Sequence, residues 1–153
     1  MADRSSESGS GRLYDEIGAG YAARRAEDPA LRDLIASALA GCDSVVNVGA
    51  GAGSYEPDDR QVIPIEPSAV MVRQRPAHRA AAILAVAQQL PLADNSVDAA
   101  MSVLSIHHWH PGQARGVAEM CRVARRKVVI VTFDPCLLYT SPSPRDSTLD
   151  LVC

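Results

Sequence analysis

Three glycines at alternate positions, Gly49, Gly51 and Gly53, follow the apolar run Ser44 to Val48, and Glu66 closes the next apolar run. Glycine adopts backbone conformations closed to other residues and lets the main chain approach a bound group, so such a loop at a strand end can cradle a nucleotide. An acidic side chain at the end of the neighbouring strand can accept hydrogen bonds from both hydroxyls of an adenosine ribose. The bland alternatives are a glycine-rich turn that merely joins a strand to a helix, and a solvent-facing carboxylate. A dinucleotide fingerprint requires G-x-G-x-x-G/A; counted from Gly49 the last position here is Ser54, and Gly53 completes G-x-G-x-G instead. That spacing disfavours a nicotinamide dinucleotide.

A second group of chemically able residues is His107, His108 and His110 around Trp109. Imidazoles titrate in the physiological range, so His107 or His108 could take a proton from an acceptor as a general base. A metal site is not expected. Consecutive residues on an extended segment point to opposite sides, and no carboxylate or cysteine stands at supporting spacing. Trp109 could close over a ligand or serve as a half-buried packing residue.

The elements that must position these residues read as alternating strands and helices. Apolar runs bounded by Gly, Pro and Asp predict strands at Ser44 to Val48, Val62 to Ile65, Ala81 to Ala87, Val97 to Leu104 and Lys127 to Phe133. A helix is expected from Asp28-Pro29 to Ala40, where Leu31, Leu34, Ile35, Ala38 and Leu39 recur at helical spacing; Asp28 is the N-cap, Pro29 sits at N1 and Gly41 ends it. Further helices are expected at Ser68 to Gln74 and Gly112 to Arg125. This alternation builds a parallel sheet, so the expected fold class is α/β, a doubly wound Rossmann-like sheet in one domain over residues 12–135.

With 47% hydrophobic and 22% charged residues the composition is that of a globular chain with one core. A net charge of −3 leaves no broad basic field, so no nucleic-acid partner is expected. Arg122, Arg125, Arg126 and Lys127 read instead as favourable charge at a helix C-terminus. Cys42, Cys121, Cys136 and Cys153 form no CxxC pair, which suits a reducing cytoplasm, and no apolar run is long enough for a membrane span or a leader. Residues 1–11, rich in Ser and Gly, are expected to be a disordered tail. After Pro135 the composition changes abruptly. Cys136 to Asp146 and then Asp150 to Cys153 resemble, in order, two segments of a translated transposase-type sequencing adapter, so residues 136–153 are expected to be a non-native tail without function.

Val45 to Pro57, followed by Glu66, resembles motif I and the acidic loop of class I S-adenosylmethionine-dependent methyltransferases of the small-molecule, type 11-like group. Gln88 to Asp98 resembles the family's stretch that leads into the fourth strand, and Ser105-Ile106-His107-His108-Trp109 is similar to the segment that closes it. Tyr14 to Gly18 and Tyr21 to Arg25 are similar to the N-terminal lid helix of small-molecule members. The resemblance spans residues 13–135. It implies S-adenosyl-L-methionine as cofactor, held by Tyr21, Arg24, Asn47, Gly49, Ala50, Gly51, Gly53, Glu66, Pro67, Ala87, Gln88 and Ser105, and a small-molecule methyl acceptor. Two positions depart from the family's pattern and weaken cofactor affinity on paper. Asn47 stands where the family usually has Asp or Glu, and Val86 where a polar residue often meets the adenine amino group.

The family places a sixth and a seventh strand beyond the fifth, so the chain is expected to be incomplete, with the apolar edge of Val128 to Phe133 uncovered and turnover weak or lost. Two other readings compete. A non-catalytic nucleotide-binding fragment would keep the sheet without the chemistry. A NAD(P)-dependent oxidoreductase would share the sheet, but the glycine spacing is wrong for it and no hydride-transfer site is visible.

Overall fold

In β1 (Ser44–Val48) every residue after Ser44 is buried, as a strand covered on both faces requires. It sits inside a sheet of order β2-β1-β3-β4-β5, formed with β2 (Gln61–Ile65), β3 (Val97–Val103), β4 (Ala124–Phe133) and β5 (Ser147–Leu151). The first four strands are parallel and β5 runs antiparallel on β4. The computed structural model describes residues 26–133 and, as backbone alone, residues 147–151. The helices are α1 (Pro29–Ala38), α2 (Ala69–Arg73) and α3 (Gln113–Val123), with a 3-10 turn at Ile106–Trp109.

Side chains alternate across a strand, and here the alternation feeds two cores. Val45, Ala99, Met101, Val129 and Val131 meet Leu31, Ile35 and Leu39 of α1 on one face. Val46, Val48, Ala100, Val128 and Ile130 meet Trp109 and Met120 and Val123 of α3 on the other. Helices therefore cover both faces, and the sheet is the doubly wound, Rossmann-like one expected. α1 begins as the sequence predicts, with Asp28 accepting a hydrogen bond from the Ala30 amide at 2.9 Å and Pro29 in the first turn. Leu34 departs from expectation by facing solvent.

Three sequence expectations need correction. Ala81 to Ala87 is no strand; it makes one parallel bridge, Ile65 to Ile83. The Ile83 amide donates to the Pro64 carbonyl at 2.9 Å, but Pro64 has no N–H to return toward Ala81, and on the other side the Ser68 amide is taken by Glu66, so the ladder extends in neither direction. The helix predicted at Gly112 to Arg125 stops at Val123, because Ala124 is already the first residue of β4, paired with Val97. Of the basic run, Arg122 does lie in the last turn of α3 and Arg125 pairs with Asp98 at 3.2 Å, while the other two residues serve a different helix. Lys127 Nζ donates to the Ala38 and Ala40 carbonyls (3.1 and 2.8 Å) and the Arg126 guanidinium donates to the Gly41 carbonyl, which caps the C-terminus of α1 from across the sheet. Finally, the outer edge of β4 is not bare, since β5 pairs along it from Val129 to Phe133.

The loop from Leu90 to Asp94 is held by α3. Arg122 donates to the carbonyls of Leu90 and Leu92 (3.1 and 2.8 Å) and to Asp94 and Glu119, while Glu119 accepts the Leu90 amide at 2.8 Å. The hydrogen bond from Arg122, with the Leu90 amide in support, pulls the Glu119 carboxyl from 4.5 down to about 2. A carboxylate with a depressed folded-state pKa stabilises the fold above its unfolded value and loses that contribution as pH falls. Thermal midpoints should therefore drop between about pH 4.5 and 2, and Glu119→Gln should flatten the profile in that window.

Candidate functional site

The carboxyl ends of β1, β2 and β3 converge on the glycine loop. The amides of Gly49 and Ala50 both donate to the Ile65 carbonyl at 2.9 Å, which draws the loop over the end of β2. Gly49, Gly51 and Gly53 have φ of 73°, 53° and 98°, in the left-handed region that glycine enters without penalty. A side chain at Gly49 would collide with Ser105 Oγ and come within 2.7 Å of Ser105 Cβ. The closed turn thus requires glycine here for space as well as for φ.

Glu66 is buried beneath this loop. Its Oε2 accepts the Gly51 amide at 2.8 Å and its Oε1 the Ser68 amide at 2.9 Å, while Ser68 Oγ in turn caps α2 by accepting the Met71 amide. Glu66 therefore pins the glycine loop to the start of α2.

At the end of β3, Leu104 takes φ 53° and donates its amide to the Val131 carbonyl at 2.7 Å. A left-handed conformation costs a non-glycine residue about 1–2 kcal/mol. It turns the chain so that Ser105 meets Gly49. Ser105 Oγ also accepts a hydrogen bond from Trp109 Nε1 at 3.2 Å. Trp109 is a packing residue: it is buried in the core, against a glycine, Gly116, whose Cβ would come within 2.6 Å of the indole. Ala87 is buried in that same core, and the Gln88 side-chain amide donates to the Trp109 carbonyl at 3.1 Å.

Of the residues marked in the sequence, Gly49, Ala50, Gly51, Gly53, Glu66 and Ser105 stand together at the carboxyl edge, with Pro67 exposed beside Glu66. Ala87 packs in the core with Trp109, and the Gln88 side chain is hydrogen-bonded to the Trp109 carbonyl. Tyr21, Arg24, Arg25 and the Tyr14 to Gly18 stretch lie outside the described residues. Asn47 is buried in β1, where its Nδ2 donates to Glu56 Oε1 at 3.0 Å and its Oδ1 has no hydrogen-bond partner. The opposite amide orientation would set an oxygen against the Glu56 carboxylate, so the donor must face Glu56. Glu56 and its ion-pair partner Arg75 were not marked. Glu56 lies within the motif I stretch but carries no spacing signal, and Arg75 is one arginine among many.

The rings of His107 and His108 lie with centroids 3.7 Å apart and planes tilted by 49°. Desolvation, with a smaller push from the His107 charge, lowers His108 from 6.5 to about 4. His108 is thus neutral at physiological pH and a weaker base than the sequence led one to expect. Among the described residues no group of three His, Cys, Asp or Glu could hold a metal ion, and no helix is long and apolar enough to cross a membrane.

Comparison with known proteins agrees with this geometry. Residues 46–132 match the family model described as a methyltransferase domain. A solved protein described as a methyltransferase from an antibiotic biosynthesis pathway of Anabaena variabilis is 30% identical with a TM-score of 0.66, over 74% of this chain and 49% of that one. The [4+2]-cyclase SpnF is similar in fold at 22% identity (TM-score 0.68), over 80% of this chain and 58% of its own. A Thermotoga maritima SAM-dependent methyltransferase is also 22% identical (TM-score 0.65), over 80% of this chain and 59% of its own. The chain thus spans about half to three-fifths of these proteins. No protein of curated function matches it significantly. The matched span runs from within β1 almost to the end of β4 and includes the glycine loop, Glu66 and Ser105, and on that ground the chain belongs to the methyltransferase-domain family.

Proposed function

We propose that this chain carries the S-adenosyl-L-methionine site of a methyltransferase that acts on a small molecule in the cytoplasm. The observation that carries the reading is Glu66, a buried carboxylate bonded to the Gly51 amide of a loop that only glycine can form. The residues fit the cofactor: Glu66 for the ribose hydroxyls, the glycine loop for close main-chain approach, and the unpartnered Asn47 Oδ1 as a buried acceptor for a donor group. When bound, the cofactor supplies an activated methyl on a sulfonium, which needs no metal or protein nucleophile. The protein's share is to hold that group rigidly and exclude misalignment, a contribution that can lower a barrier by several kcal/mol. A small acceptor accords with the net charge of −3 and with the described pathway of the Anabaena protein. Free thiols at Cys42 and Cys121 accord with a reducing compartment.

The similar fold of a protein named as a cyclase shows why the site, and not the sheet, must carry the claim. Binding of S-adenosylhomocysteine to the full chain, followed by calorimetry with NAD as competitor, is the direct test. Hydrogen bonds to a charged group are each worth about 1.5–3 kcal/mol. Loss of two should weaken binding about a hundredfold or more in Glu66→Ala. Absence of binding by folded protein, or preference for NAD, would overturn the reading.

A further inference from the structure

A buried ion pair lies directly behind the glycine loop. Glu56 is 1% exposed and the Arg75 side chain 4% exposed, with Arg75 Nη2 donating to Glu56 Oε2 at 2.7 Å. Removing two charges from water is costly, and apolar residues of similar volume often serve the fold as well. The further contacts of the pair suggest why it is there. Asn47 Nδ2 holds the other Glu56 oxygen, and Arg79 Nη1 donates to the Glu56 carbonyl at 2.8 Å. Arg75 itself reaches in three directions: to Glu56, through Nη1 to the Gly51 carbonyl at 3.3 Å, and through Nε to the Ala80 carbonyl at 3.0 Å.

The Gly51 residue is therefore gripped at both of its backbone groups, its amide by Glu66 and its carbonyl by Arg75. Glu66 also holds the Ser68 amide at the start of α2, and Arg75 returns to the loop from just beyond the end of α2. The loop, the ribose-facing carboxylate, the helix and the arginine form one closed ring. A Cβ at Gly53 would lie 3.2 Å from Glu56 Oε2 and 3.3 Å from Arg75 Nη1, so the loop rests against the pair itself.

We infer that Arg75, seated on Glu56, is a positioning residue that presets the Gly51 backbone and the Glu66 carboxylate for the cofactor's ribose. The inference rests on the S-adenosyl-L-methionine reading above. A purely structural pair would make affinity follow stability; a positioning pair separates them. Three variants of the full chain distinguish the two: Arg75→Met, Glu56→Gln/Arg75→Met and Arg75→Lys. Each is followed by thermal unfolding, by S-adenosylhomocysteine calorimetry and by hydrogen exchange of the Gly51 amide without ligand.

Arg75→Met strands a buried carboxylate and should lower the midpoint most. The double variant removes both charges and keeps an amide oxygen for Asn47, so its midpoint should return toward wild type. Its affinity should nevertheless stay about tenfold or more below wild type, and the Gly51 amide should exchange faster. Arg75→Lys keeps the charge but cannot fork between Glu56 and the Gly51 carbonyl, so it should show the same loss of affinity with a near-native midpoint. This variant carries the test if the double variant does not fold. Wild-type affinity or unchanged Gly51 exchange in either folded variant would overturn the inference while leaving the cofactor site standing. Failure of folded wild type to bind S-adenosylhomocysteine would overturn both.

Discussion

Gly49→Ala is expected to destabilise the fold by about 2–5 kcal/mol and, on the proposed reading of the site, to abolish S-adenosylhomocysteine binding. Two costs combine. A φ of 73° puts an alanine in the left-handed region at about 1–2 kcal/mol, and the new methyl collides with Ser105, whose Cβ would lie 2.7 Å away. Overpacking of this kind adds about 1–3 kcal/mol. Ser105 cannot simply retreat, because its hydroxyl is bonded to the buried Trp109 and its backbone follows the left-handed Leu104. Pairing the variant with Ser105→Gly should recover part of the loss, since the collision disappears while the φ cost and an unpaired indole N–H remain. Urea unfolding of the single and double variants measures both effects. A loss below about 1 kcal/mol in the single variant would show that the loop does not pass this close to Ser105.

Glu56→Ala should cost about 3–5 kcal/mol, the usual consequence of leaving one partner of a buried pair alone. The variant strands the Arg75 guanidinium at a site where 4% of its side chain reaches solvent, and removes the acceptor of the Asn47 amide. Domains of this size are stable by roughly 5–15 kcal/mol, so the urea midpoint should fall by about a fifth or more. Glu56→Gln should lose less, because the amide oxygen still serves Asn47 or Arg75 although the charge is gone. Equal midpoints for Glu56→Ala and wild type would mean that water reaches the pair.

The departure at Asn47 acquires a physical reason from the same network. An acid there would face the Glu56 carboxylate across 3.0 Å in a buried site, where like charges repel strongly. An amide supplies a donor instead, so position 47 and position 56 are coupled choices. Neither partner could be inferred from the other by spacing, since their contact depends on how the glycine loop folds back.

Much of the frame was legible because short-range patterns encode it. Ser44 to Val48 was recognised within its true limits, and α1 was announced by Asp28 and Pro29, because strand burial and N-capping are decided by neighbouring residues. The glycine loop and Glu66 were legible for the same reason: left-handed turns demand glycine, and an acid at a strand end has few uses. Position 64 hid what it would do. Proline in β2 is tolerated within its own strand, yet it removes the donor that a ladder toward Ala81 needs, and the Ser68 amide on the other side is committed to Glu66.

By itself, then, the sequence determined the alternation of strands and helices, the parallel sheet and the residues of the glycine loop, since periodicity and backbone preference act over a few residues. Tertiary structure alone decided that Trp109 is core, that Ser105 seals Gly49, that Lys127 and Arg126 cap a helix far away in the chain, and that Glu56 and Arg75 stand behind the loop. Those roles rest on contacts between residues distant in sequence, whose strength depends on burial and on direction, and neither exists until the sheet has brought the segments together.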